Sequence, residues 1–251
     1  MNIAVCVKQV PDTETKVKIS GDKKWIEEGE INYILNPYDE FAVEEALKIT
    51  ESRGGGTVTI ISLGPDRVTS AIRSALAMGA TRAIHIKSET IPQDPMSTAD
   101  ALAQILKEDN YDLIILGKQA VDDDHQQIGP ILSEKLGLPA ANVVTHLEID
   151  GEIVNADRQI EGGFEKVNCS LPAIITAQRG LNEPRYASLK GIMAAKKIQI
   201  EERNISIPED KIEILEINYP PEKPPGKIVG KGAEAVPELI RLLKEEAKVI
   251  S

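Results

Sequence analysis

Apolar residues fall along this chain in short runs separated by stretches of helical period. Ile3 to Val7, Val58 to Leu63, Ala83 to Ile86, Leu113 to Leu116 and Ala173 to Thr176 are almost unbroken apolar runs, the pattern of strands buried on both faces. Between them, Asp39 to Ile49 sets Phe41, Ala42, Ala46 and Leu47 on one helical face, and Val68 to Met78 repeats the pattern until Gly79 stops it. Ser97, with Asp100 three residues on, reads as a capping box for the helix carrying Leu102, Ile105 and Leu106. Ile128 to Leu136 predicts another helix, closed by Gly137. Strands alternating with helices predict an α/β fold built on a parallel sheet.

The rhythm breaks twice. Lys16 to Ile31 reads as a polar β-hairpin insertion turning at Gly21-Asp22. After Lys197 the chain turns Pro- and charge-rich, most of all from Tyr219 to Gly226, before a last helix over about Ala235 to Ala247 with Val236, Leu239, Ile240, Leu242 and Leu243 on one face. The expected division is a main domain over 1–197 and a C-terminal arm with its helix over 198–251. That helix either folds back on its own domain or lies on a partner subunit.

Composition removes several classes of function. With 40 acidic and 29 basic residues the formal net charge is -11, which argues against nucleic acid and against an anionic membrane surface. No stretch approaches the ~20 apolar residues of a spanning helix, and MNIAVCVKQV lacks a basic region followed by a long apolar one, so a cytoplasmic protein is expected. Cys6 and Cys169 lie far apart in apolar surroundings and read as reduced core thiols. His85, His125 and His146 show no ligand spacing, so no metal site is expected, and no acid–base constellation marks a catalytic residue.

Two segments leave the carboxyl ends of predicted strands, where open parallel sheets bind their ligands. One runs Cys6, Val7, Lys8, Gln9, Val10, Pro11, Asp12, Thr13; the other runs Gly117, Lys118, Gln119, Ala120, Val121, Asp122, Asp123, Asp124, His125, Gln126, Gln127, Ile128 into a helix. Gly117 permits a close backbone approach, the helix amides suit phosphate oxygens, and Lys8 and Lys118 add positive charge. Asp122-Asp123-Asp124 reads as a solvated helix start. Asn36, followed by Pro37, Tyr38 and Asp39, is expected to cap the first helix.

The stretch from Ala156 to Lys197 joins two unusual pieces. Arg158 with Glu161-Gly162-Gly163 leads through Phe164, Glu165 and Val167 to the strand after Pro172; Leu181-Asn182-Glu183-Pro184-Arg185-Tyr186 then leads to Ala187-Ser188-Leu189 and the basic exit Met193 to Lys197. In this order they resemble the signature region of electron transfer flavoprotein β subunits, and the resemblance extends over essentially the whole chain. It implies a Rossmann-like sheet of the adenine-nucleotide α-hydrolase type and a partner α subunit that takes up the C-terminal helix. It also implies a nucleotide site formed by Cys6, Asn36 to Asp39, Leu63 and Gly117 to Ile128, with GKQAVDDD as the binding loop. Lys8 to Thr13, with Thr13 where respiratory members tend to carry an aromatic residue, resembles the electron-bifurcating branch. That branch implies FAD here, reduced by NADH, with electrons parting to the α-subunit FAD and an acyl-CoA dehydrogenase on one side and to ferredoxin or flavodoxin on the other. The alternative is structural AMP in the same site, in a carrier that passes electrons from dehydrogenases toward the quinone pool. Asn182 to Lys197 resembles the loop that docks on the dehydrogenase, with Leu189 as anchor beside Arg185, Tyr186, Ile192 and Met193. Without the resemblance it reads as a surface loop.

Overall fold

The apolar runs become the centre of a nine-stranded sheet in a computed structural model that describes residues 1–222 and 225–250. The chain divides into two units, Met1–Leu215 and Glu216–Ser251. In the first, β1 (Asn2–Cys6) is followed by the short strands β2 (Gln9–Pro11) and β3 (Tyr33–Leu35), then α1 (Pro37–Ser52) and β4 (Thr57–Gly64). Next come α2 (Thr69–Met78), β5 (Arg82–Lys87), α3 (Pro95–Leu106), β6 (Leu113–Gly117) and α4 (Ile128–Leu136). The strands β7 (Ala140–Asp150), β8 (Ile153–Ile160), β9 (Gly163–Ser170) and β10 (Ala173–Ala177) lead to α5 (Leu189–Ala195) and β11 (Ile200–Arg203).

The sheet order is β11-β5-β4-β1-β6-β10-β7-β8-β9, parallel from β11 to β7 and antiparallel from β7 to β9. Ile3, Val5, Ile60 and Ile115 face one core with α1 and α2; Ala4, Cys6, Ile61, Ile84 and Leu116 face the other with α3 and α4. Burial on both faces is why these strands carry no polar alternation. From β1 the chain steps outward through β4 to β5, and α3 then returns it to β6 on the other side of β1. The strand order therefore reverses between β1 and β6, where a crevice opens at their carboxyl ends.

Three expectations change, and one ribbon was not foreseen. The ribbon β7–β9 was not legible as apolar runs because half its side chains face solvent; Glu161-Gly162 forms its second turn, with Gly162 at φ 76°. The hairpin is rooted further out than Lys16 to Ile31, in the β2–β3 pair, and its tip holds one bridge between Ile19 and Ile26, with Gly21-Asp22 in the turn. Asp94 and not Ser97 caps α3: its carboxylate accepts from the Met96 amide at 2.8 Å, with Pro95 in the first turn, while the Ser97 hydroxyl donates to the Glu209 carbonyl. The first unit runs to Leu215, past the expected boundary at residue 197, because β11 pairs with β5 and extends the sheet.

In the second unit a 3₁₀ turn leads into α6 (Val236–Glu245), which exposes Val236, Leu239 and Ile240 and buries Leu242. Lys223 and Pro224 of the Pro-rich run lie outside the described residues.

Candidate functional site

The crevice between β1 and β6 is a cleft lined from the ends of both strands and the loops that follow them. Its floor is organised by Asp39, on the first turn of α1 and only 4 % exposed. One carboxylate oxygen accepts from the Lys8 amide at 2.7 Å and the other from the Gly117 amide at 3.0 Å. A single side chain thus ties the backbone just past β1 to the last residue of β6. Burial pushes the Asp39 carboxyl up to about 7, against the pull of those two amides, Asn36 and the Lys8 charge. Burial, with the Asp39 charge adding to it, pushes the neighbouring Cys6 thiol up to about 12, which leaves it inert.

Gly117 is required for a reason other than ligand approach. A Cβ there would stand 2.4 Å from Asp39 Oδ1 and 2.7 Å from Tyr38 Cβ, so the glycine admits the start of α1 against the end of β6. Asn36 also departs from expectation. It occupies the N-cap position of α1, but its side chain makes no cap; Nδ2 donates to the Gln119 carbonyl at 2.9 Å, and Oδ1 accepts from the Val121 amide at 3.2 Å. It therefore fastens the loop after β6 to α1.

The acidic triplet is not a helix start. Lys8 Nζ lies 2.9 Å from Asp122 and 2.7 Å from Asp123, and Asp124 accepts from the Gln119 side-chain amide. The two aspartates raise the Lys8 ammonium above its ordinary value, although burial works the other way. Lys8 thus cancels charge that would face an anion; its own charge is not free for one. Lys118 lies over the Tyr38 ring, 5.1 Å from its centre. The loop then enters α4, whose first residue, Ile128, lines the cleft with Gln126 and Gln127; Pro130 has no amide hydrogen, so Ile128 and Gly129 carry the first-turn amides of this helix.

Of the residues expected at the site, Cys6, Lys8, Asn36, Asp39, Leu63, Gly117, Lys118, Gln119, Ala120, Asp123, His125, Gln126, Gln127 and Ile128 line this cleft. Pro37, Tyr38, Val121, Asp122 and Asp124 are not among the residues that line it. Val10 is fully buried, paired with Ile34 in the β2–β3 ribbon, and Thr13 is exposed in the turn beyond it; neither lines the cleft.

Sequence reasoning missed the opposite wall: Ile91, Pro92, Gln93, Pro95, Thr98 and Leu102. The signal was available, because this segment also leaves the carboxyl end of a predicted strand. Gln119 Oε1 is buried without a hydrogen-bond partner among the described residues.

The second group of residues lies on a separate surface. Arg185 does not point outward: its guanidinium pairs with Glu44 at 2.8 Å and Glu51 at 2.6 Å on α1, and both partners hold its charge above the ordinary arginine range. The Asn182 side chain donates to the Phe41 carbonyl and to Glu45. Ser188 caps α5 through the Gly191 amide, and Gly191 packs so closely on Ala77 of α2 that a Cβ would lie 2.4 Å from its carbonyl oxygen. On this anchored frame Tyr186 is 99 % exposed and Leu189 84 % exposed, with Met193 and Ile192 beside them.

Residues 24–208 match the family model described as "Electron transfer flavoprotein domain". The chain is similar to the electron transfer flavoprotein subunit beta of Bacillus subtilis, 40% identical over 260 residues with all of both chains covered. It is 39% identical over 257 residues to the mitochondrial subunit beta of Arabidopsis thaliana, again with both chains fully covered. The subunit beta of Mus musculus is 34% identical, with 98% of this chain and 97% of the other aligned. Among the described residues no helix is long and apolar enough to cross a membrane.

Proposed function

This chain belongs to the electron transfer flavoprotein family as a β subunit, and from that premise we propose that the β1–β6 cleft holds the adenosine phosphate part of FAD in a complex with an α subunit. The observation that carries the reading is the cleft itself, set where the strand order reverses and mouthed by the α4 N-terminus.

The residues present fit such a group. Leu63, Ile91, Leu102 and Leu116 offer apolar lining for a purine, the Ile128 and Gly129 amides that open α4 suit phosphate oxygens, and the unpartnered Gln119 Oε1 suits an N–H or O–H donor. Pairing of Lys8 with Asp122 and Asp123 lowers the negative charge that phosphates would meet. When bound, FAD would supply hydride acceptance from NADH and one-electron transfer toward both the α-subunit FAD with an acyl-CoA dehydrogenase and ferredoxin or flavodoxin. This chain's residues bind, orient and exclude water. FAD is preferred to AMP on the Lys8 to Thr13 segment, in which Thr13 brings no aromatic ring.

The exposed Tyr186, Leu189, Ile192 and Met193 are read as the docking face for the dehydrogenase, and the apolar side of α6 as a contact with the α subunit. We place the complex in the cytoplasm. The deciding experiment is to co-purify the chain with its α subunit and release the bound cofactors. Two FAD per heterodimer supports the bifurcating reading; one FAD with one AMP replaces it with the carrier that feeds the quinone pool; no nucleotide beyond the α-subunit flavin overturns the cleft assignment.

A further inference from the structure

The wall of the cleft that the nucleotide-binding loops do not supply is held by a distant segment of the chain. After β11, Ile205 and Ile207 pack on the core beneath α3, and the backbone then follows that helix toward its N-terminus. Gln104 donates to the Ser206 carbonyl at 3.2 Å, and Ser97 to the Glu209 carbonyl at 3.2 Å. Where the segment reaches the cleft wall, two aspartates each accept a hydrogen bond from the backbone amide beside the other. Asp94, which caps α3 with one oxygen, accepts from the Lys211 amide with the other at 2.9 Å; Asp210 accepts from the Gln93 amide at 2.8 Å. Beyond them, Lys24 at the hairpin tip donates to the Ile214 carbonyl at 2.8 Å.

Gln93, Ile91, Pro92 and Pro95 line the cleft, so this reciprocal clasp fixes the backbone of that wall. Pro92 and Pro95 cannot donate hydrogen bonds from their own nitrogens, which makes the Gln93 amide one of the few points at which the segment can be tied. We propose that the Asp94–Asp210 clasp is a positioning device for the nucleotide cleft, with Asp210 as the residue that sets how firmly the 91–95 wall closes on its ligand. The inference rests on reading the cleft as a nucleotide site.

The test uses the intact heterodimer. Release of FAD, and of AMP in a parallel arm, is followed for wild type, Asp210→Ala and Asp210→Asn, together with amide hydrogen exchange over residues 88–95. Asp210→Ala is expected to raise exchange in this segment and to speed release about tenfold, the size of one lost charge-assisted hydrogen bond. Asp210→Asn keeps an acceptor for Gln93 and is expected to retain most of the wild-type hold. Unchanged exchange in Asp210→Ala overturns the clasp. Raised exchange with unchanged release shows the wall to be irrelevant to binding and also overturns it, while nucleotide retention by the same wild-type complex leaves the cleft assignment standing. A wild type that retains neither FAD nor AMP in the cleft overturns both readings.

Discussion

Gly117 donates its amide to Asp39 Oδ1 at 3.0 Å, and that same oxygen occupies the space a Cβ on residue 117 would need. The glycine and the aspartate are therefore one device, a strand end and a helix start held in contact by the absence of a side chain. Gly117→Ala must push α1 away or break the carboxylate bond. The expected cost is about 1–3 kcal/mol, the range of overpacking in a closed core, with loss of the cleft nucleotide. Denaturant unfolding and cofactor analysis check it; wild-type stability and full occupancy would refute the arrangement.

Asp39 also sets a pH dependence. Its carboxyl stands at about 7 in the fold against an ordinary 3.8, so the folded chain holds a proton that the unfolded chain has released across that interval. The contribution to stability is complete below the lower value and is lost as pH rises through the upper one. Asp39→Asn cannot titrate and should remove this component of the decline between about pH 4 and 7. Parallel slopes of unfolding free energy against pH for wild type and variant would contradict the assignment.

Lys8 is expected to matter through the acids it neutralises. Lys8→Ala leaves Asp122 and Asp123 uncompensated beside the cleft, and the affinity for an adenosine phosphate should fall about tenfold, a coupling of about 1.4 kcal/mol. Adding Asp123→Asn should recover part of it. If the double variant binds no better than Lys8→Ala, the lysine touches the phosphate directly and the pairing is incidental.

The core strands could be read because burial on both faces leaves them unmixed, as in Ile3 to Val7, and the strand–helix alternation then fixed a parallel sheet. The loops at the strand ends could be placed for the same reason. What each polar side chain does there could not be read. Asn36 carries the right residue type for a cap, yet its partners are 83 and 85 positions away on the loop after β6. Lys8 looked like a free cation until the loop folded Asp122 and Asp123 onto it. Long-range pairings of this kind leave no periodicity in the sequence, and the same holds for β11, whose four residues find an edge only in three dimensions.

Arg185 and Leu189 separate anchoring from docking. Arg185→Ala leaves Glu44, 5 % exposed, without its cation, and should cost about 2 kcal/mol of stability once the partial exposure of the arginine is discounted. Leu189→Ala removes an exposed side chain and should leave stability within about 0.5 kcal/mol while slowing electron transfer to the proposed acyl-CoA dehydrogenase partner. Thermal unfolding of both variants beside transfer kinetics at subsaturating dehydrogenase distinguishes the roles. A Leu189→Ala variant with wild-type transfer rates removes the docking face from this loop.

The late arrival of β11 bears on synthesis. Arg82 and Glu201, paired across the β5–β11 edge, lie 119 positions apart in the chain. While a ribosome is still translating the intervening stretch, β5 presents an open row of amides and carbonyls to any neighbouring nascent chain. A polypeptide released early, between α5 and β11, would keep that edge permanently open. Such fragments are expected to accumulate as aggregates and to be poor candidates for a minimal binding module, even though every residue that lines the cleft is already present in them.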